Sequence, residues 1–247
     1  VRVTYPVSGP SCNLTSCTIN LHAVDHEAAT LAHDVTMRIY APTVRASDLN
    51  GDHKADILWR NTSTGDIALW LMSGPAVLSS GTIYAGTLPE WQIIGVGDFD
   101  GDSKADLLWR DTVTGDIAIW LMNGRTILSS GTISSGVPPD QQLVEVGDFD
   151  GNGKADLLWR DMNTGDISLW LMNGRTILST GTIYSGALHD WQIAGVGDFN
   201  GDGKADLLWR HRATGDIALW QMNGTAILSS GTIYSGSTAA WQIISKH

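Results

Sequence analysis

Positive charge is scarce in this sequence. Lys and Arg number 15 against 26 Asp and Glu, a formal charge of −11 over 247 residues. Nucleic-acid binding needs clustered Lys and Arg to neutralise phosphates, so no nucleic-acid partner is expected. No apolar run reaches the roughly 18 residues that cross a bilayer as a helix, so no membrane insertion is expected. The opening Val1-Arg2-Val3-Thr4 is not a signal peptide, so any export signal is expected to have been removed or to precede it. Cysteine is confined to Cys12 and Cys17, in a stretch rich in Ser, Thr and Asn. A disulfide is the first expectation, and it favours an oxidising compartment. Zinc with His22, His26 and His33 is the alternative, but the spacing fits none of the usual paired Cys and His patterns. His26-Glu27 also fails as a metalloprotease motif, because Thr30 stands where the second His is needed.

What is abundant is repetition. The string Asp98-Phe99-Asp100-Gly101-Asp102-Ser103-Lys104-Ala105-Asp106 returns at Asp48 to Asp56, Asp148 to Asp156 and Asp198 to Asp206, fifty residues apart each time. Such a period marks a supersecondary unit that buries its apolar surface against its neighbours. The four strings hold 13 of the 26 acidic residues. Four bound divalent cations would bring the charge to about −3, so the cation-free chain should repel itself far more.

Oxygen ligands at alternate positions of a tight loop suit a hard cation, above all calcium, which takes about six to eight oxygens in flexible geometry. In the second loop the candidates are Asp98, Asp100, Asp102 and Asp106, with the carbonyl of Lys104. The matching sets are Asp48, Asn50, Asp52, Lys54 and Asp56; Asp148, Asp150, Asn152, Lys154 and Asp156; and Asp198, Asn200, Asp202, Lys204 and Asp206. The EF-hand, which shares the first half of this loop, needs a Glu at position twelve. Trp59, Trp109, Trp159 and Trp209 occupy that position, so the chain should leave the loop into a strand. Gly153 and Gly203 fill the sharp turn at position six, where His53 and Ser103 are strained alternatives costing about 1 to 2 kcal/mol.

The second repeat reads as strands over Ala105 to Arg110, Asp116 to Met122, Thr126 to Ile133 and Gln142 to Gly147. A turn is expected at Thr114-Gly115, a tight hairpin at Asn123-Gly124 and a bulge or kink at Ser130-Gly131. The fourth strand is taken to close one blade and run into the next loop. Ile117, Ile119 and Leu121 alternate with Ala118, Trp120 and Met122, so both faces of the sheet are apolar and must be sandwiched. The expected fold is therefore all-β, a β-propeller of four four-stranded blades, with a closed ring as first choice. Trp59, Trp109, Trp159 and Trp209, with Trp70, Trp120, Trp170 and Trp220, are read as packing between blades. Trp91, Trp191 and Trp241 are read as candidate ligand platforms, since Gln141 replaces them in one copy. Arg60, Arg110, Arg160 and Arg210 are expected to pair across strands with Asp66, Asp116, Asp166 and Asp216. Residues 1–43 form a separate segment with a β-hairpin around Asp25 to Glu27, similar to the end of an immunoglobulin-like domain. Residues 44–247 form the propeller.

Gly-Val-Gly-Asp-Phe, the acidic loop and Lys-Ala-Asp-Leu-Leu-Trp-Arg together resemble the FG-GAP or VCBS repeat, the blade of integrin-like propellers. The resemblance covers roughly residues 44 to 247. It implies structural calcium in each loop and a secreted or surface protein acting in adhesion or sugar binding. The family commonly closes with seven blades, and four are present. The expected function is a calcium-stabilised extracellular binding or adhesion module, lectin-like and non-catalytic, with glycans or a surface protein as partners. The alternative is a structural repeat protein that self-associates into a larger ring, a surface assembly or a fibre. An enzyme is not expected, since His211 occurs in one copy only and no Ser, His and acid set recurs.

Overall fold

The structure, a computed structural model, describes residues 11–12, 16–22, 34–40, 47–61, 64–86, 90–186, 188, 190–236 and 243, the first three stretches as backbone only. The chain divides into two compact units, Val1–Thr43 and Val44–His247. In the first, β1 (Ser11–Cys12), β2 (Ser16–His22) and β3 (Asp34–Tyr40) form an antiparallel sheet in that order. Ile19 stands opposite Met37 and Leu21 opposite Val35, the hairpin read from the alternation. The expected turn at Asp25 to Glu27 lies outside the described residues. Cys12 stands directly opposite Cys17. His26 and His33 of the zinc alternative, and the linker Ala41 to Val44, lie outside the described residues.

Among the described residues the second unit holds four antiparallel sheets. Blade one is β4 (Ile57–Arg60), β5 (Ile67–Ser73) and β6 (Ala76–Tyr84). Blade two is β7 (Trp91–Gly97), β8 (Asp106–Asp111), β9 (Ile117–Asn123) and β10 (Thr126–Ser134). Blade three is β11 (Gln141–Gly147), β12 (Asp156–Asp161), β13 (Ile167–Asn173) and β14 (Thr176–Tyr184). Blade four is β15 (Trp191–Gly197), β16 (Asp206–His211), β17 (Ile217–Asn223) and β18 (Ala226–Tyr234). Strand bounds follow the sequence reading closely, but the blade boundary does not. Val96 pairs with Leu107 and Gly97 with Asp106, so the strand before an acidic loop opens the same sheet that the loop feeds. The loop is a turn inside one blade, and Trp91 and Trp191 open first strands.

Each middle blade is dry on both faces, as the alternation requires. Leu107, Trp109, Ala118 and Met122 pack against Leu49, Ile67 and Leu69 of blade one. On the opposite face of blade two, Leu108, Ile117 and Ile119 pack against Leu157, Trp159 and Met172 of blade three. The same arrangement joins blade three to blade four. Each large side chain so buried contributes about 1.5 to 3 kcal/mol. Among the described residues there are three such cores, and none joins blade four to blade one.

Two local expectations shift. Asn123 pairs with Thr126 and Gly124 has φ of 55°, so the hairpin turn is Gly124-Arg125, with glycine first as a type II′ turn requires. The irregularities of β10 fall between Ile127 and Ser129 and between Thr132 and Ser134, on either side of Gly131. Gly131 is small because the Arg175 guanidinium lies where its Cβ would be.

Two of the four Arg and Asp pairs, those of Arg110 and Arg160, are also corrected. Arg160, buried in β12, donates to the carbonyls of Trp191 at 3.0 Å and Leu188 at 2.6 Å. Arg110 does the same to Gln141, Val137 and Pro138. Asp116 and Asp166 instead accept the N–H groups of Gly136 and Gly186. Carbonyls of the connection into the next blade offer several acceptors to a planar guanidinium, which one carboxylate across the strand does not. Arg160→Ala is expected to lose about 1 to 3 kcal/mol, measured by urea denaturation, because two part-buried carbonyls lose a charged donor. Arg160→Lys should not restore it.

Candidate functional site

Each acidic loop is wound on its own carboxylates. Asp98 Oδ1 accepts the N–H groups of Gly101 (2.7 Å) and Asp102 (3.2 Å), and its Oδ2 accepts that of Ser103 (2.8 Å). Asp100 accepts Asp102 N–H at 3.1 Å. Asp106, at the start of β8, accepts Phe99 N–H at 2.9 Å on one oxygen and Met122 N–H at 2.7 Å on the other. Asp56, Asp156 and Asp206 repeat this two-sided bond in their own blades. The turn at position six is left-handed in the first two loops despite the side chain, with φ of 64° at His53 and 67° at Ser103.

Oxygens of Asp98, Asp100 and Asp106 lie within 4.8 Å of one another, and so do those of Asp148, Asp150 and Asp156. Positions one, three and nine therefore converge in the second and third loops. The first and fourth loops carry Asn50 and Asn200 at position three, so each has one carboxylate fewer there. In the second loop the position-five carboxylate, Asp102, does not join the cluster. Asp102 turns to the Lys104 ammonium at 2.6 Å, and Asp52 to that of Lys54 at 3.2 Å. The Lys side chains cover the loop of the preceding blade: Lys104 lies over Gly51, Lys154 over Gly101 and Lys204 over Gly151.

The electrostatics favour a cation. Burial pushes the Asp106 and Asp156 carboxyls up to about 7, and the like charges of Asp100 with Asp98, and of Asp150 with Asp148, push the same way. Backbone hydrogen bonds only partly oppose this. Burial also raises Asp56, Asp100, Asp148 and Asp206. Three hard oxygen donors with spare lone pairs, short of counter-charge, fit a hard divalent ion.

The loops also tie blades together. Asp48 and Asp98 carbonyls accept Ala105 and Ala155 N–H at 2.7 and 2.6 Å, while Leu49 and Phe99 carbonyls accept Gly124 and Gly174 N–H. This stacked row of wound acidic turns, each bonded to the next blade, is the feature that the sequence comparison recognises. The profile of the FG-GAP-like repeat matches residues 48–109, 98–159 and 148–209. The chain belongs to the FG-GAP-like repeat family. No curated protein matches it. Each match of this FG-GAP chain runs from one acidic loop through the next and into β8, β12 or β16, so the family pattern spans the blade-to-blade contact.

The candidate ligand platforms separate. Trp91 is half-buried against the core between blades one and two. Trp191 stacks edge-on against His211, with ring centroids 5.1 Å apart. It also lines a cleft of about 180 Å³ with Trp209, Trp220, Ser230 and Thr232. Trp241 lies outside the described residues. Trp209 and Trp220, read as packing between blades, are buried in the core that joins blades three and four and also line this cleft. The available signal was the Ser and Thr residues paired with Trp220 and Ala218 across β17 and β18. The indole N–H groups of Trp109, Trp159 and Trp209 have no hydrogen-bond acceptor. Trp109 and Trp209 lie 4.6 and 4.7 Å, centroid to centroid, from Trp120 and Trp220, whose ring faces are the nearby electron-rich surfaces.

Proposed function

We propose that this FG-GAP chain is a calcium-stabilised extracellular binding module without catalytic activity. The observation that supports it best is the convergence of three carboxylates in each of two consecutive loops, where burial and like charge leave them short of a counter-ion. The remaining loops repeat the wound turn with Asn at position three and are assigned the same ion, for four sites. Lys54, Lys104, Lys154 and Lys204 would add backbone carbonyls, and Asp52, Asp102, Asn152 and Asp202 would join when the ion competes with lysine. Because the loops bond blade to blade, their role is structural. The opposed Cys12 and Cys17 support a disulfide and, with the family, a secreted or surface location.

For the ligand, the cleft at Trp191 favours a small sugar, since an aromatic platform beside hydroxyl groups suits the apolar face and the hydroxyls of a pyranose. Glycan-array binding by the calcium-loaded protein is expected to fall about tenfold or more in Trp191→Ala and to persist in Asp100→Ala. No glycan bound by either form would remove the sugar reading and leave the calcium reading standing.

A further inference from the structure

The turn that follows β4, β8, β12 and β16 is capped by the residue at its head. In blade two Asp111 Oδ1 accepts the N–H groups of Val113 at 2.8 Å and Thr114 at 2.9 Å. In blade three Asp161 Oδ1 accepts those of Asn163 and Thr164, both at 2.8 Å, and in blade one Asn61 accepts that of Thr64 at 3.1 Å. Blade four has His211 at this place, and its Nδ1 accepts Ala213 N–H at 3.3 Å and Thr214 N–H at 3.1 Å. A ring nitrogen that accepts carries no proton, so the proton of the neutral imidazole sits on Nε2.

The same ring meets the aromatic platform of the cleft. The register of β15 and β16 sets Trp191 opposite His211, with the two ring planes at 89°. In blade two Trp91 stands opposite Asp111, and in blade three Gln141 stands opposite Asp161, to which it donates at 3.2 Å. An imidazole is the side chain whose ordinary titration falls between about pH 5 and 8. The turn N–H groups hold Asp111 and Asp161 below the usual carboxylate range, so those caps keep their acceptor throughout that window. A proton on Nδ1 of His211 would instead leave the Ala213 and Thr214 N–H groups facing a donor. The ring must then leave the turn, and its contact with Trp191 changes with it. Three charged groups surround the ring. Asp216, just before β17, has its carboxyl held low by the N–H of Gly236, the hydroxyl of Thr214 and the charge of His211. Arg212 lies in the turn, with Arg160 of β12 near it, and Asp190 accepts Arg212 N–H on its carbonyl at 2.6 Å. Asp216 and Asp190 favour the added proton, and Arg212 opposes it.

We propose that His211 is a positioning residue for Trp191, holding the indole at the cleft while its Nδ1 caps the turn and releasing it when that nitrogen gains a proton. Acid then weakens binding in the cleft. That consequence rests on the sugar reading, whereas the movement of Trp191 does not.

The test uses the full chain in calcium, as parent and as His211→Asp, which places the cap of Asp111 and Asp161 in blade four and pairs it with Trp191 as Asp111 pairs with Trp91. Nitrogen-15 NMR of the parent should show an unprotonated Nδ1 at about pH 8. On acidification to about pH 5 the Trp191 indole N–H resonance, assigned with Trp191→Phe, should shift with the same midpoint as the His211 ring. In His211→Asp it should stay in place. Both proteins carry the same acidic loops, so any response of those loops appears in both. Glycan affinity should fall about tenfold or more over this range in the parent and hold in His211→Asp. A Trp191 resonance that stays in place in the parent, or moves equally in His211→Asp, would overturn the inference, as would glycan affinity that falls equally in both. A resonance that moves in the parent alone, with no glycan bound at either pH, would uphold the positioning role and remove the sugar reading.

Discussion

Stripping calcium with a chelator is expected to lower the melting temperature of the chain by about 10 to 20 °C. The figure follows from two sites held at about a hundredfold over their dissociation constants. Each then adds about 2.7 kcal/mol, and a domain of this size shifts about 2 to 4 °C per kcal/mol. The sites exist only in the folded state, since Asp98 and Asp106 meet through the β7-β8 turn and the bond from Asp106 to Met122 in β9. Binding energy is therefore folding energy. Magnesium should restore less, because it demands a tighter octahedron and keeps more water. An unchanged melting curve on chelation would remove calcium from the account.

Acidification should act on the chelated protein in the opposite sense from ordinary acid denaturation. The folded-state carboxyls of Asp106 and Asp156 titrate near 7, above their usual 3.8. A raised carboxyl contributes stability that is complete below the unfolded value and lost as pH rises through the folded one. Chelated protein should thus gain stability from pH 8 to pH 5, while the calcium-loaded protein should not. Parallel pH profiles with and without chelator would sink this.

The regularity of the fold was legible because each structural requirement recurs in four copies. Two dry faces follow from Ile117 to Met122 alone, and the left-handed turn follows from Gly153 and Gly203, with His53 and Ser103 adopting it under strain. The blade boundary was not legible, since a strand before a loop can pair with the strand after it or with an earlier one, and residue pattern is the same for both. Nor was the fate of Arg160, because its acceptors at Leu188 and Trp191 are backbone carbonyls, which carry no side-chain signature. At the metal loop the alternation of oxygens was legible but not the diversion of Asp102 to Lys104. That contact goes with the way Lys104 lies over the loop of the preceding blade, which no single repeat specifies.

Asp106→Ala and Asp100→Ala should separate the scaffold from the metal. Both positions offer an oxygen to the same cluster. Asp106 also holds two N–H groups, of Phe99 and Met122, in residues 0% and 1% exposed. Removing that carboxylate strands both donors at about 1 to 3 kcal/mol each, so chelated Asp106→Ala should lose about 2 to 6 kcal/mol against chelated parent. Asp100 accepts one N–H, from the exposed Asp102, and its charge is opposed by burial and by Asp102. Chelated Asp100→Ala should therefore match the parent within about 0.5 to 1 kcal/mol, yet regain less stability when calcium returns. The two variants thus part in chelator and converge in their weakened response to calcium, as read by urea denaturation under both conditions. Equal losses in chelator would mean that the ninth-position carboxylate does not anchor the loop. A full calcium response in Asp100→Ala would mean that the third position does not ligate.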